Sequence, residues 1–254
     1  MRVRVKFKKY GPVRFIGHLD LMRFFQKCIR RAGLDIAYTG GYSPHQIMSF
    51  AHPLGIGITS NGEYMDIELN TVTGSADMIE RLNRASVYGI EIVDMKALPE
   101  DAGNAMASVA AAGYTVRFRD GRAPKFDYTG KLLDFYAREE ILIQKETKKS
   151  TLTVDLKPGI YALKVNEDGS IYMLLDASSA GNIKPAMVMT AYLEMYGETM
   201  QENALLITRE DVYTNLAAEG EPLRLVSLND IGTEIPDTIK EIGETDPAEA
   251  GGSL

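Results

Sequence analysis

The sequence of 254 residues contains a single cysteine, Cys28, and its apolar runs stay well short of the roughly 20 residues that cross a bilayer. One cysteine cannot form an internal disulfide, and it is too few for a multi-cysteine zinc site or an iron–sulfur cluster. The first ten residues, MRVRVKFKKY, alternate charged and apolar side chains and lack the continuous apolar region of a secretory signal. These absences predict a cytoplasmic protein without a membrane-spanning segment.

Common catalytic and nucleotide-binding motifs are absent as well. The sequence has no GxxxxGK[ST], no GxGxxG, no GxSxG and no HExxH. The P-loop, Rossmann, α/β-hydrolase and zincin signatures are therefore excluded. We expect no bound cofactor, no metal and no catalytic residue that a motif identifies.

Charge is distributed unevenly along the chain. The whole sequence has a formal net charge of −7, but residues 1–50 hold ten Lys/Arg against only Asp20 and Asp35, which gives +8. Residues 51–254 hold eighteen Lys/Arg against thirty-three acids, which gives −15. All three histidines lie between residues 18 and 52. Any binding site or chemistry is therefore expected near the N-terminus.

In residues 1–96 the spacing of apolar residues changes in the order expected for a β-α-β-β-α-β unit. Strict alternation predicts a strand over 2–8, and an apolar stripe predicts a helix over 18–32, formed by Leu21, Phe25, Cys28, Ile29 and Ala32. Further strands are predicted near 47–51, 63–69 and 88–95, a helix over 75–86, and a hairpin turn at Asn61-Gly62. This order is typical of a ferredoxin-like unit.

A second unit of related topology is predicted over residues 113–210, with an extra segment inserted before its hairpin. Its strands are expected over 114–119, 141–146, 161–165, 171–176 and 204–208, and its helices over 129–138 and 185–196. Residues 147–160, which include Lys148 and Lys149, form an inserted segment. Residues 211–254 are an extension, and its last part, from residue 230, has the composition of a disordered acidic tail. The predicted fold class is α+β with two tandem ferredoxin-like units.

The first predicted strand carries a basic face, Arg2, Arg4, Lys6 and Lys8. In a ferredoxin-like sheet this face lies beside Asp66 and Glu68 of the third strand, so we expect cross-strand ion pairs there. The same face lacks the paired aromatic residues on which an RRM stacks bases. It is not expected to bind RNA in that way.

The most distinctive stretches are RFIGHLDLMR (14–23) and GGYSPHQIMSFAHPLGIG (40–57). They resemble a bacterial family known as the radical-SAM-linked domain of unknown function, in its stand-alone form. The matching positions are His18-Leu19-Asp20, Pro44-His45, Ser49-Phe50-Ala51 and Pro53-Leu54. Gln46 stands where the family pattern favours a proline.

The resemblance implies a partner, a radical S-adenosylmethionine enzyme on a separate chain. This sequence has no CxxxCxxC, so radical chemistry would take place on that other chain. The resemblance supplies no catalytic residue.

Two features are predicted to bind phosphate or RNA. Arg23, Lys27, Arg30 and Arg31 share one face of the first helix and form a basic stripe, although a solvated face or a docking site for acidic protein has the same pattern. The loop after that helix contains Gly40, Gly41, Tyr42, Ser43 and His45, where glycines let backbone N–H groups approach an anion. Arg14 and His18, at the start of the helix, complete the predicted binding set.

The three histidines permit two other interpretations, a catalytic site and a metal site. His18 and His45 are candidates for acid–base catalysis in a metal-independent ribonuclease. His18, His45 and His52, with Asp20 or Cys28, contain the ligand types of a metal site, but their spacing matches no compact metal motif. The leading expectation is a non-catalytic accessory module that works with a radical enzyme and holds RNA or a phosphate-bearing substrate. A purely protein-binding adaptor is the third possibility, and the oligomeric state is left open.

Overall fold

The structure, a computed structural model, describes residues 1–146 and 151–236. Lys148 and Lys149 of the predicted insertion lie outside the described residues, as does the tail after residue 236. Residues 230–236 were predicted to belong to that disordered tail, and this is wrong for them. The side chain of Ile235 is buried in the first-half core, and its N–H donates to Ser75 Oγ at 3.0 Å.

The described residues contain four α-helices and twelve strands. The helices are α1 (His18–Arg31), α2 (Ser75–Ala85), α3 (Leu132–Tyr136) and α4 (Pro185–Met195). The strands are β1 (Arg2–Lys9), β2 (Met48–Phe50), β3 (Thr59–Glu68), β4 (Ile90–Ala97), β5 (Ala111–Phe118), β6 (Leu142–Glu146), β7 (Thr151–Asp155), β8 (Ile160–Val165), β9 (Ile171–Asp176), β10 (Leu205–Asn215), β11 (Leu225–Ser227) and β12 (Thr233–Glu234). None of the described helices has the length and apolar character needed to cross a bilayer.

Ten of these strands form one large, mostly antiparallel sheet. Its order is β12-β4-β1-β3-β10-β5-β9-β8, with β2 on β3 and β11 on β10, while β6 and β7 form a separate pair. The strands β3 and β10 run parallel and join the first half of the chain to the second. The fold is therefore a mixed α and β structure with few helices, as predicted in outline.

The alternation of charged and apolar residues in β1 places the apolar face of the strand in a core, as predicted. Val3, Val5 and Phe7 are fully buried in the core of the first half, against the apolar stripe of α1. Hydrophobic burial of this face fixes the register of the strand, because a slip of one residue would bring the charged face into the core. Each half of the chain has its own core, and Tyr64 and Ala51 of the first half contribute to the second core.

The charged face of β1 is paired, but only partly as predicted. Arg4 forms a bidentate pair with Asp66, at 2.8 Å and 2.9 Å, which confirms the expected cross-strand pair. Lys6 pairs with Asp211 of β10 at 3.3 Å instead, and Lys8 with Glu91 of β4 at 3.0 Å. The late segment around Leu228 covers this face, because Arg4 Nη1 donates to the Leu228 carbonyl.

Some element boundaries were predicted wrongly. The helix expected over 129–138 is confined to Leu132–Tyr136, since Asp127 Oδ1 accepts hydrogen bonds from Thr129 and Gly130 in a turn before it. The strand expected over 204–208 continues to Asn215, so the predicted boundary at residue 210 falls inside β10.

The hairpin turn predicted at Asn61-Gly62 is also wrong, because both residues lie inside β3. Glycine is needed there for space rather than for a turn. A Cβ on Gly62 would lie 2.7 Å from Asp211 Oδ1 and 2.8 Å from the Glu210 carbonyl oxygen. The backbone of β10 approaches β3 closely at this point, and a side chain would push the two strands apart.

Replacing Gly62 with valine is therefore expected to destabilise the protein by about 1–3 kcal/mol, through overpacking at the junction of the two halves. Urea unfolding followed by circular dichroism measures the change. The control is Gly40→Ala, because a Cβ on Gly40 has no atom within 4 Å. Equal unfolding midpoints for the two variants would contradict the argument.

Candidate functional site

The predicted basic stripe lies on the exposed face of α1. Arg23, Lys27, Arg30 and Arg31 are all exposed, while the opposite face of the helix is buried. Arg23 pairs with Asp20 at 3.4 Å, and Arg31 Nη2 donates to the Ala85 carbonyl at 2.8 Å. Within the described part of the chain, Lys27 and Arg30 have no ion-pair partner. Two cations in the middle and last turns of the helix are thus available to a ligand.

The loop over residues 39–45 is closed by its own hydrogen bonds. Thr39 N–H donates to the His45 carbonyl at 2.9 Å, and His45 N–H donates to Thr39 Oγ1 at 3.1 Å. Of the two glycines, Gly41 has a φ of 97°, which favours glycine. Tyr42, at the tip, is fully exposed. The loop is a shaped, solvent-facing element.

The loop and the basic stripe meet. Gln46 is buried, and its Nε2 donates to the Gln26 carbonyl of α1 at 3.2 Å. It also approaches Tyr38 Oη at 3.4 Å, and Tyr38 is half exposed. Gln46, where the family pattern favours proline, therefore fixes the loop against the helix. Tyr38 and the end of the loop therefore lie beside α1 at Gln26, the residue that precedes Lys27 of the stripe.

Arg14 and His18 lie at the other end of α1. The His18 ring packs edge-to-face on Phe50 at 5.2 Å between centroids, and the Arg14 guanidinium lies over the Phe15 ring at 4.8 Å. The loop contacts α1 at Gln26, eight residues after His18, which corresponds to about 12 Å along the helix. Arg14 and His18 of the predicted binding set thus lie at the start of α1, whereas the loop contacts the helix at Gln26.

The three histidines and Cys28 also have separate surroundings. Cys28 is buried, its Sγ lies 3.6 Å from the Leu82 carbonyl oxygen, and burial raises the pKa of its thiol. His52 contacts Arg209 of the second half. Among residues 1–146 and 151–236, no group of three His, Cys, Asp or Glu side chains is arranged to hold a metal ion.

A buried polar cluster lies where the two halves join, and the sequence analysis did not predict it. Arg209 of β10 is 1% exposed and forms a bidentate pair with Glu63 of β3, at 2.8 Å and 2.5 Å. Its Nη2 also donates to the His52 carbonyl at 2.7 Å, and its Nη1 lies 2.6 Å from His52 Nδ1. The buried Lys9 ammonium donates to the Ile16 carbonyl, and its pKa is lowered mainly by burial.

The protonation state of His52 follows from this geometry. A guanidinium can only donate hydrogen bonds, so Nδ1 must accept and the proton of a neutral ring lies on Nε2. Burial, and then the charge of Arg209, lowers the pKa of His52 to about 4. His52 is therefore neutral near pH 7, and its Nε2–H is a hydrogen-bond donor.

A second network ties the same strands together. Tyr64 Oη donates to Asp211 Oδ1 at 2.5 Å, and Ser227 Oγ donates to Asp211 Oδ2 at 2.8 Å. Burial raises the pKa of Tyr64, so the phenol stays protonated. Because Lys6 pairs with the same carboxylate, this network links β1, β3, β10 and β11.

Comparison with known families shows the family to which the chain belongs. The profile of the family described as "Uncharacterized protein conserved in bacteria (DUF2344)" matches residues 2–185, and the chain belongs to this family. No curated protein matches the chain significantly.

The neutral state of His52 predicts a pH dependence of stability. The pKa is near 6.5 in the unfolded chain and about 4 in the folded one, so between these values the unfolded state binds more protons. This contribution to stability is complete above pH 6.5 and is lost as the pH falls towards 4. Between the two pH values, the unfolding free energy should fall by about 2–3 kcal/mol more in the unmodified protein than in His52→Asn.

Urea unfolding at a series of pH values measures this difference. His45→Asn is the matched control, because His45 is an exposed histidine outside the buried cluster around Arg209. Identical profiles for His52→Asn and the unmodified protein would show that His52 is not the titrating group.

Proposed function

We propose that this member of the DUF2344 family is a non-catalytic module that binds single-stranded RNA on the surface formed by α1 and the loop over residues 39–45. The observation that carries the proposal is the exposed stripe of Arg23, Lys27, Arg30 and Arg31 beside exposed aromatic rings. Phosphates pair with the cations, and unstacked bases cover the rings.

Lys27 and Arg30 of α1 differ from the cations of the neighbouring helix α2, because they have no ion-pair partner among the described residues. On α2, Arg81 pairs with Asp77 and Arg84 with Glu80, each four residues apart. Cations in the last turn of a helix also stabilise the helix dipole, which accounts for Arg30 and Arg31 in part. That explanation does not extend to Lys27, which lies earlier in α1. A polyanionic ligand accounts for the whole stripe.

The aromatic residues favour a nucleic acid over a simple anion. Tyr42 is fully exposed at the loop tip, and Tyr38 is half exposed beside the helix. Stacking of a base on such a ring contributes about 1–3 kcal/mol and tolerates any sequence. Because the β1 face is covered by the segment around Leu228, an RRM-like sheet platform is not part of the proposal.

A ribonuclease that uses His18 and His45 is less well supported. General acid–base catalysis on one phosphate needs both groups within hydrogen-bond reach of the reacting atoms. His18 packs on Phe50, whereas His45 lies in the loop that contacts α1 about 12 Å further along. The proposal therefore expects bound RNA to remain intact.

The test is binding of a short fluorescent single-stranded RNA of mixed sequence, measured by anisotropy over a range of salt concentrations. Lys27→Glu combined with Arg30→Glu should weaken binding strongly. It should also reduce the slope of log K against log salt by about 1.4, because each lost phosphate contact contributes about 0.7 on single strands.

The matched control is Lys125→Glu combined with Arg138→Glu, which makes the same change of charge on exposed residues of the second half. Tyr42→Ala should weaken binding at every salt concentration without changing the slope. Absence of binding by the unmodified protein at low salt, or equal losses in the two charge-reversed variants, would refute the proposal. Cleavage of the RNA that disappears in His18→Ala would favour the enzyme instead.

The partner is the second element of the proposal. The resemblance of 14–23 and 40–57 to the radical-SAM-linked family supports a complex with a radical S-adenosylmethionine enzyme on a separate chain, in the cytoplasm. Affinity purification of the tagged protein from its native host, followed by mass spectrometry, should recover such an enzyme. Its recovery after nuclease treatment from the Lys27→Glu/Arg30→Glu variant would favour the adaptor alternative, and its absence from every preparation would contradict the partnership.

We also interpret residues 1–96 and 113–210 as two ferredoxin-like units. The strand order supports this: β4-β1-β3 with β2 on β3 in the first half, and β10-β5-β9-β8 in the second. Numbering the four main strands of each half in chain order gives the spatial order 4-1-3-2 in both. The inserted β6–β7 pair and the late strands β11 and β12 are additions to that plan.

A further inference from the structure

An open cavity of about 600 Å³ lies at the junction of the two halves, away from the α1 surface. One wall is the loop over residues 51–58, which contains the distinctive AHPLG stretch. The opposite wall is formed by residues 177–186, from the end of β9 to the start of α4. Met106, Val109, Tyr114, Ile207 and Arg209 complete the lining. Its volume is in the range of sites for small organic molecules.

The charged side chains that line this cavity are both basic. Its lining contains Lys184 and Arg209 and no acidic side chain. Arg209 is paired with the buried Glu63, whereas Lys184 is exposed and has no ion-pair partner among the described residues. An unpaired cation in the lining favours an anionic ligand.

The hydrogen-bond donors in the cavity are held in place before any ligand arrives. Arg209 fixes the neutral tautomer of His52, which leaves Nε2–H as the hydrogen-bond donor of the ring. Asn182 has a φ of 50°, a conformation that ordinary residues rarely adopt, which sets the direction of the chain into α4. Pro185 then begins the helix, and no side chain caps its N-terminus. The positive end of the α4 dipole therefore faces the same space.

The rest of the lining is largely apolar. Pro53, Leu54 and Ile58 come from the first half, and Val109 and Ile207 from the second. Apolar walls with a few convergent polar groups are typical of small-molecule sites. We propose that this cavity binds a small organic anion, with an apolar body against these walls and a carboxylate or phosphate group near His52, Asn182 and Lys184.

In this arrangement Arg209 is a positioning residue. Its guanidinium donates to Glu63 and to His52, so it orients the imidazole rather than contacting the ligand. The cavity needs both halves of the chain, because His52 comes from the first and Lys184 from the second. This site is independent of the proposed RNA surface.

The test uses the full-length protein and the dye anilinonaphthalene sulfonate, an apolar body with one anionic group, whose fluorescence rises in an apolar site. The unmodified protein should bind it saturably. Lys184→Gln should weaken binding about tenfold, because one charge-assisted hydrogen bond is lost. Ala186→Phe, at the exposed rim, should block the cavity.

Lys164→Gln is the matched control, since Lys164 is exposed on β8 and outside the lining. Lys27→Glu/Arg30→Glu should bind the dye normally, which separates this proposal from the RNA surface. Competition by inorganic phosphate identifies a phosphate group, and competition by benzoate identifies a carboxylate. The proposal is overturned if the unmodified protein shows no saturable binding, if Lys184→Gln binds as tightly as Lys164→Gln, or if an uncharged naphthalene dye binds as well.

Discussion

The buried pair of Arg209 and Glu63 is the interaction on which the arrangement of the two halves depends. Removing two charges from water costs several kcal/mol per ion, and only good geometry with additional hydrogen bonds offsets that cost. Here the guanidinium forms a bidentate pair with Glu63 and also contacts the backbone and ring of His52. Loss of one partner would leave an unpaired buried charge, which typically costs about 3–5 kcal/mol. The pair therefore specifies how β10 lies against β3.

The backbone contact between β3 and β10 is short, so side chains carry much of the junction. Its register covers Thr59 with Thr208 and Ser60 with Arg209. The hydroxyls of Thr59 and Thr208 lie 2.8 Å apart, and Ser60 Oγ donates to the Arg209 carbonyl. A junction built from directional bonds between particular residues accepts one register. The loop over 51–58 is held against the second half as a consequence, and the cavity exists because of it.

The sequence predicted the features that local patterns determine. Period-two alternation located β1, and the period of 3.6 located α1 with its buried stripe of Leu21, Phe25, Cys28 and Ile29. The sequence patterns did not predict features that depend on contacts between distant segments of the chain. Asn61-Gly62 has the local signature of a hairpin turn, yet Gly62 is needed because β10 passes over it. Arg209 follows the strand predicted over 204–208, and no local pattern shows that it continues the strand or that Glu63 will lie opposite it.

The two candidate sites, the α1 surface and the cavity, also differ in how far the sequence could predict them. The basic stripe was predictable because its residues share one helix face, and its contact with the loop depends on Gln46, whose role no pattern indicated. The cavity was not predictable, although the resemblance had drawn attention to the AHPLG stretch, because its second wall comes from residues more than a hundred positions later. Sequence reasoning finds sites formed by one element more readily than sites formed by two distant ones.

The uneven charge along the chain also has a structural explanation. The basic residues of β1 are paired with acids that come later in the sequence: Arg4 with Asp66, Lys6 with Asp211 and Lys8 with Glu91. Much of the contrast between the first fifty residues and the rest is thus internal pairing, set by the sheet register. Within the first fifty residues, the exposed stripe on α1 is not neutralised in this way, because Lys27 and Arg30 have no ion-pair partner among the described residues. Charge that the fold does not neutralise is available to a ligand, and at these two positions it lies on the helix that the loop over residues 39–45 contacts.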